Sequence, residues 1–91
     1  MKFEVMEDEV TFIKMWLVKI KPKVLKKQKK MFKGNEYALG MIAEGEPYYG
    51  TSGGPLIYHF YGSALGDFLE VEEISTGLKL DVTREMGYKY I

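Results

Sequence analysis

The sequence predicts an α+β fold. It reads as a single small domain spanning residues 1–91, with one curved antiparallel sheet of five to seven strands and one lysine-rich helix. Three observations lead there. Ninety-one residues allow one small core and no second domain. Short runs of β-branched and aromatic residues recur between glycines and prolines. Only one segment carries helix punctuation at both ends. A composition of 46% hydrophobic and 29% charged residues suits a folded chain rather than a disordered one.

Taken in order, Lys2 to Met6 alternates and is rich in β-formers, so it predicts a short strand. Val10 to Ile20 sets two signals against each other. Helical spacing would align Val10, Ile13, Leu17 and Ile20. Against that, Val10, Thr11, Phe12, Ile13, Trp16, Val18 and Ile20 are β-branched or aromatic, which favours a buried strand, hairpinned to the first through Glu7-Asp8-Glu9. Pro22 to Lys33 predicts the helix. Pro22 suits a first helical position, Gly34 suits the left-handed position after the last turn, and Val24, Leu25, Gln28, Met31 and Phe32 share one arc. Glu36 to Ala43 predicts a strand with Gly40 as a bulge. Pro47 to Pro55 reads as a loop and Leu56 to Tyr61 as an aromatic strand.

Phe68 to Ile74 and Leu78 to Thr83 form the best hairpin. A two- or four-residue turn around Thr76-Gly77 puts Leu69, Val71, Leu78, Leu80 and Val82 on one face. A three-residue turn would set Glu72 beside Leu80 and is rejected. Tyr88 to Ile91 completes the sheet as an edge strand. A barrel of the OB or SH3 type is the variant of this fold, although the strand–helix order fits neither cleanly.

Several functions are excluded by counting. There are no cysteines, which removes disulfides, thiolate metal sites and cysteine nucleophiles, and fits a reducing compartment. One histidine, His59, cannot build a multi-histidine metal site. The opening Met1-Lys2-Phe3-Glu4 lacks the apolar core of a signal peptide. The longest apolar run, Met15 to Val18, falls far short of the ~20 residues of a membrane span. A cytoplasmic protein without a membrane or cofactor role is expected.

The formal net charge of zero conceals segregation. Residues 1–9 hold four acids against Lys2. Residues 10–33 hold nine lysines and no acid. Residues 34–91 hold nine acids against Lys79, Arg84 and Lys89. Lys23, Lys26, Lys27, Lys29, Lys30 and Lys33 would form a cationic strip on the solvent side of the predicted helix. Such a strip suits phosphate contact, because the lysine ammonium is a strong but undirected charge. The bland alternative is a solvated helix face. The loop that follows offers tyrosine rings and glycine backbone N–H groups for an anion, chiefly Tyr48, Tyr49 and Gly53, or a protein-recognition surface through Tyr49 and Tyr58.

Gly50-Thr51-Ser52-Gly53-Gly54-Pro55 resembles, over six residues, the Gly-Asp-Ser-Gly-Gly-Pro stretch around the nucleophile of trypsin-like proteases. Thr51 replaces the aspartate of that stretch, and the only histidine lies downstream, so the resemblance implies no activity. His59, between Tyr58 and Phe60, reads as a structural residue. Glu70 and Glu72 share one strand face and Glu73 points away from both, which suits a solvated surface better than a metal cage. Catalytic residues are therefore expected to be absent.

Two functional expectations follow. The first is a non-enzymatic binder of nucleic acid or nucleotide acting through the lysine face. The second is a protein-interaction module or small inhibitor, of phage or mobile-element type, acting on a host protein. A homodimer is compatible with either, since thirteen aromatics and six methionines exceed what so small a core can bury.

Overall fold

In a computed structural model, residues 5–50, 54–64 and 66–87 are described. Helix α1 spans Glu7–Met31 and helix α2 spans Glu36–Ala43. Strands β1 (Leu56–Ser63), β2 (Gly66–Glu73) and β3 (Lys79–Asp81) follow, and a short helix α3 covers Val82–Glu85. The strands form one antiparallel sheet in the order β1-β2-β3. The α+β class is as expected. The sheet has three strands rather than five to seven, and three helices stand where one was predicted.

The largest correction lies in the first third of the chain. Val10 to Ile20 is helix, and α1 runs on through Pro22 for 25 residues. The propensity cost of β-branched residues in a helix is a few tenths of a kcal/mol each, whereas burying an isoleucine contributes about 1.5–3 kcal/mol. Helical spacing sinks Ile13, Ile20 and Val24 on one face, so burial wins. Glu7, Asp8 and Glu9 suit the positive end of the helix dipole instead of turning a hairpin, and Glu9 Oε1 accepts from the Met6 N–H at 2.9 Å. Pro22 sits in the helix interior on the exposed side, where water can serve the Val18 carbonyl that loses its intrahelical donor.

Glu36 to Ala43 is likewise helix and not strand. The Asn35 side chain caps it, accepting from the Ala38 N–H at 3.1 Å, and Gly40 lies inside it rather than in a bulge. Gly34 does take the expected left-handed conformation, φ +94°, between the two helices. The proposed strand at Lys2 to Met6 falls mostly outside the described residues, and that at Tyr88 to Ile91 entirely so; Met6 itself caps α1.

The second half follows the parity argument. Val71 pairs with Leu80 and Glu72 with Lys79, while the Glu73 N–H donates to the Leu78 carbonyl at 2.9 Å, closing a four-residue turn. Leu69, Val71, Leu80 and Val82 are all buried with Ile13. The third strand is shorter than expected, because the Asp81 side chain accepts from the Arg84 N–H and starts α3. The Leu69 N–H donates to the Thr83 hydroxyl at 2.8 Å, so a ladder donor is satisfied after the strand has ended.

The amino-terminal half of α1 lies on the sheet, where Phe12, Trp16 and Leu17 flank the core with Leu56, Phe60 and Met86. The carboxy-terminal half meets α2 and the segment at 47–49. A helix of about 37 Å makes the molecule elongated, 48 × 21 × 19 Å, with a radius of gyration of 15.2 Å.

Candidate functional site

On α1, Lys19, Lys23, Lys26 and Lys30 fall within an arc of about 60°, rising about 17 Å along the axis, and Lys33 follows in the turn after the helix. Lys27 and Lys29 flank that arc, and all seven lysines are exposed. Ile13, Ile20, Val24 and Gln28 occupy the opposite side and are buried. Among the described residues the lysine row makes no ion pair. Lys21 lies off the row, on the cleft side of α1, and meets Glu46 at 4.0 Å. Among the described residues, no acid of the sheet forms an ion pair with the row.

The loop tyrosines are placed elsewhere. The Tyr48 N–H donates to Gln28 Oε1 at 2.7 Å, and Gln28 Nε2 donates to the Ser75 hydroxyl at 2.6 Å. The Tyr48 ring stands edge-on to Phe32 and to Tyr37, at centroid distances of 5.3 and 5.7 Å. Gln28 has no exposed surface. Its two bonds tie α1, the loop and the β2–β3 turn together, and they hold Tyr48 on the buried side of α1, away from the lysine row.

Tyr49 belongs to the same polar knot. Its phenol hydrogen-bonds the carboxylate of Glu73, a residue with no exposed surface at the end of β2. Glu73 Oε1 also accepts from the Thr76 N–H at 2.7 Å and the Thr76 hydroxyl at 2.8 Å. Glu73 Oε2 is buried without a hydrogen-bond partner among the described residues. Burial pushes the Glu73 carboxyl up. The bonds from Thr76 and Tyr49, with backbone N–H groups of Thr76 and Ser75, outweigh burial and hold it below its ordinary value. Burial first, and then the bond and charge of Glu73, push the Tyr49 phenol well above its ordinary value. A phenol engaged in this way is a structural group.

Of the predicted anion-binding residues, Lys23, Lys26, Lys27, Lys29 and Lys30 are exposed on α1 and Lys33 is exposed in the turn that follows it. Tyr48 and Tyr49 do not join them, and Gly53 lies outside the described residues. Tyr58 is 47% exposed on β1, beside Phe60 at 6.3 Å. His59 Nε2 lies 3.3 Å from Glu72 Oε1, a diagonal neighbour on the outer sheet face. Glu70 and Glu72 do share that outer face, but Glu73 points into the molecule and not to solvent.

Sequence reasoning missed three contributors. Lys19 extends the row one turn toward the amino terminus and falls within the Val10 to Ile20 segment that the sequence predicts as strand. Gln28 already stood among apolar neighbours on its arc. Glu73 shares strand parity with Leu69 and Val71, which was the available sign of its burial.

An open cleft of about 200 Å³ lies between α1 and the loop, lined by Leu17, Val18, Val24, Pro47, Tyr49 and Pro55 with Lys21 at its edge. Among the described residues, no group of histidine and acidic side chains is placed to hold a metal ion, and no helix is long and apolar enough to cross a membrane. Comparison with protein-family models, curated proteins and solved structures gave no match.

Proposed function

We propose that this chain is a small non-enzymatic binding protein that holds a phosphate-bearing polyanion along the exposed lysine row of α1. One observation supports the reading above others: Lys19, Lys23, Lys26, Lys27, Lys29 and Lys30 of α1, with Lys33 just after it, are exposed and make no ion pair with the chain's own acids among the described residues, whereas Lys21 meets Glu46. An open line of charge about 17 Å long on the helix fits a strand of nucleic acid better than a single nucleotide. Lysines without an arginine fork or a stacking ring among them favour contact with the phosphate backbone over base reading. The reading does not use Tyr48 or Tyr49, whose polar groups serve the fold.

Fluorescence anisotropy with labelled duplex and single-stranded oligonucleotides tests this. With four to six phosphate contacts, log K for duplex should fall against log salt with a slope of about −4 to −5. Replacing Lys26, Lys27, Lys29 and Lys30 by glutamine should weaken binding more than tenfold while leaving helical circular dichroism unchanged. Binding that ignores salt, or a quadruple variant that binds like the parent, rejects the reading.

A second reading, a protein-interaction module, draws on the exposure of Ile57, Tyr58 and Tyr61 along β1. It predicts that Tyr58→Ala releases a stoichiometric protein partner from a folded chain. Tyr49→Ala should instead act through stability. A partner retained by a folded Tyr58→Ala chain removes this reading.

A further inference from the structure

The solvent face of α1 carries a second pattern, which overlaps the anion-binding row only at its basic end. Asp8, Thr11, Met15, Val18, Pro22, Lys26 and Lys29 recur at spacings of three and four and form one stripe along the helix. Its middle is apolar and open to solvent: Met15 is 65% and Val18 72% exposed, and Pro22 is exposed beside them. One end is acidic, through Glu7 and Asp8, and the other is basic, through Lys26, Lys29 and Lys30. The helix dipole accounts for charges of these signs at the two ends. It does not account for three adjacent apolar side chains held in water between them.

We propose that this stripe is a self-complementary interface, and that α1 pairs antiparallel with α1 of a second copy of the chain. The sequence is consistent with a twofold axis set between Val18 and Lys19. Met15 of one copy then lies level with Pro22 of the other and Thr11 with Lys26, while on the two flanks Glu7 lies level with Lys29 and Asp8 with Lys30. Each acidic first turn meets a basic last turn twice over, as a closed two-fold pairing requires. A parallel pairing would set acids on acids and lysines on lysines, so charge complementarity decides the direction as well as the occupant. The interface is one helix wide, so the dimer is a weak one. Lys19, Lys23 and Lys27 lie on the flank of the stripe and stay open to an anion in the dimer. The proposal does not depend on that use.

The chain has no cysteine, so single introduced thiols report the geometry cleanly. Sedimentation velocity of the whole chain at low salt should show a concentration-dependent dimer that weakens at high salt. Val18→Asp changes an exposed residue and no lysine. It should abolish the dimer, keep helical circular dichroism and leave oligonucleotide binding in place, which separates this proposal from the functional one. Oxidised Val18→Cys should cross-link to itself. Thr11→Cys should not, but should cross-link to Lys26→Cys when the two chains are mixed.

Reversing Lys29 and Lys30 to glutamate should weaken self-association more than tenfold, and mixing with a Glu7→Lys, Asp8→Lys chain should restore pairing as a heterodimer. A monomer at every concentration overturns the proposal. So does a dimer that survives Val18→Asp, self-cross-linking of Thr11→Cys, or a monomer that uses this face only on anionic vesicles.

Discussion

A glutamate with no exposed surface is kept ionised only if hydrogen bonds replace the water it has lost, and Glu73 has three such donors in Thr76 and Tyr49. Its carboxyl stands below the ordinary glutamate value of 4.5, so the folded state binds the proton more weakly than the unfolded chain. The stabilisation is therefore present above about pH 4.5 and is lost as pH falls through the lower folded value. Thermal melts from pH 7 to pH 3 should show a loss of stability below pH 4.5 that Glu73→Gln flattens. Tyr49 runs the other way. Its phenol is raised above 10.0, so its contribution holds below that pH and is lost as pH rises through the folded value. Tyr49→Phe should remove that alkaline loss. Gln28→Leu strands the Tyr48 N–H and the Ser75 hydroxyl in a buried site, and should cost about 1–3 kcal/mol in urea unfolding at unchanged slope.

At the scale of the elements, α1 is decided by packing against its own local chemistry. Pro22 gives up one intrahelical hydrogen bond and crowds the preceding turn, a defect worth about 3 kcal/mol in an isolated helix. Pro22→Ala restores the donor, while the freer unfolded chain takes back about 0.4–1 kcal/mol. A net gain of about 2 kcal/mol is expected, read as a raised denaturant midpoint. A loss of stability would show that the proline is needed in the folded state. The short α2 depends on its cap, and Asn35→Ala should destabilise by about 1 kcal/mol. The β2–β3 hairpin was legible in advance because strand parity allowed only registers that keep Leu69, Val71 and Leu80 together. No such constraint acts on Val10 to Ile20, whose residues satisfy either period.

Across the whole molecule, a chain of zero net charge gathers most of its lysines on one helix of a 48 Å body. Eight lysines held on one helix repel each other, and bound anions would relieve that repulsion. A ligand that binds the folded state alone raises the melting temperature with its concentration. Long-chain polyphosphate should therefore raise it well beyond sodium chloride of matched ionic strength. Equal effects from the two would mean simple screening, with no specific use of the row.

By itself the sequence determined the charge segregation, the absence of cysteine chemistry, the α+β class, the lysine row over 23–33 and the register of the second hairpin. Each depends on composition, or on a period that one buried face makes unambiguous. Only the tertiary structure decided that residues 7–31 form one helix and 36–43 another, because ambivalent segments take the period that buries Ile13, Ile20, Val24, Ala38 and Ile42. It also decided that Tyr48, Tyr49, Gln28 and Glu73 form one interior knot. Which polar groups meet across 20 to 47 positions of chain is set by how the elements pack, and local spacing holds no record of it.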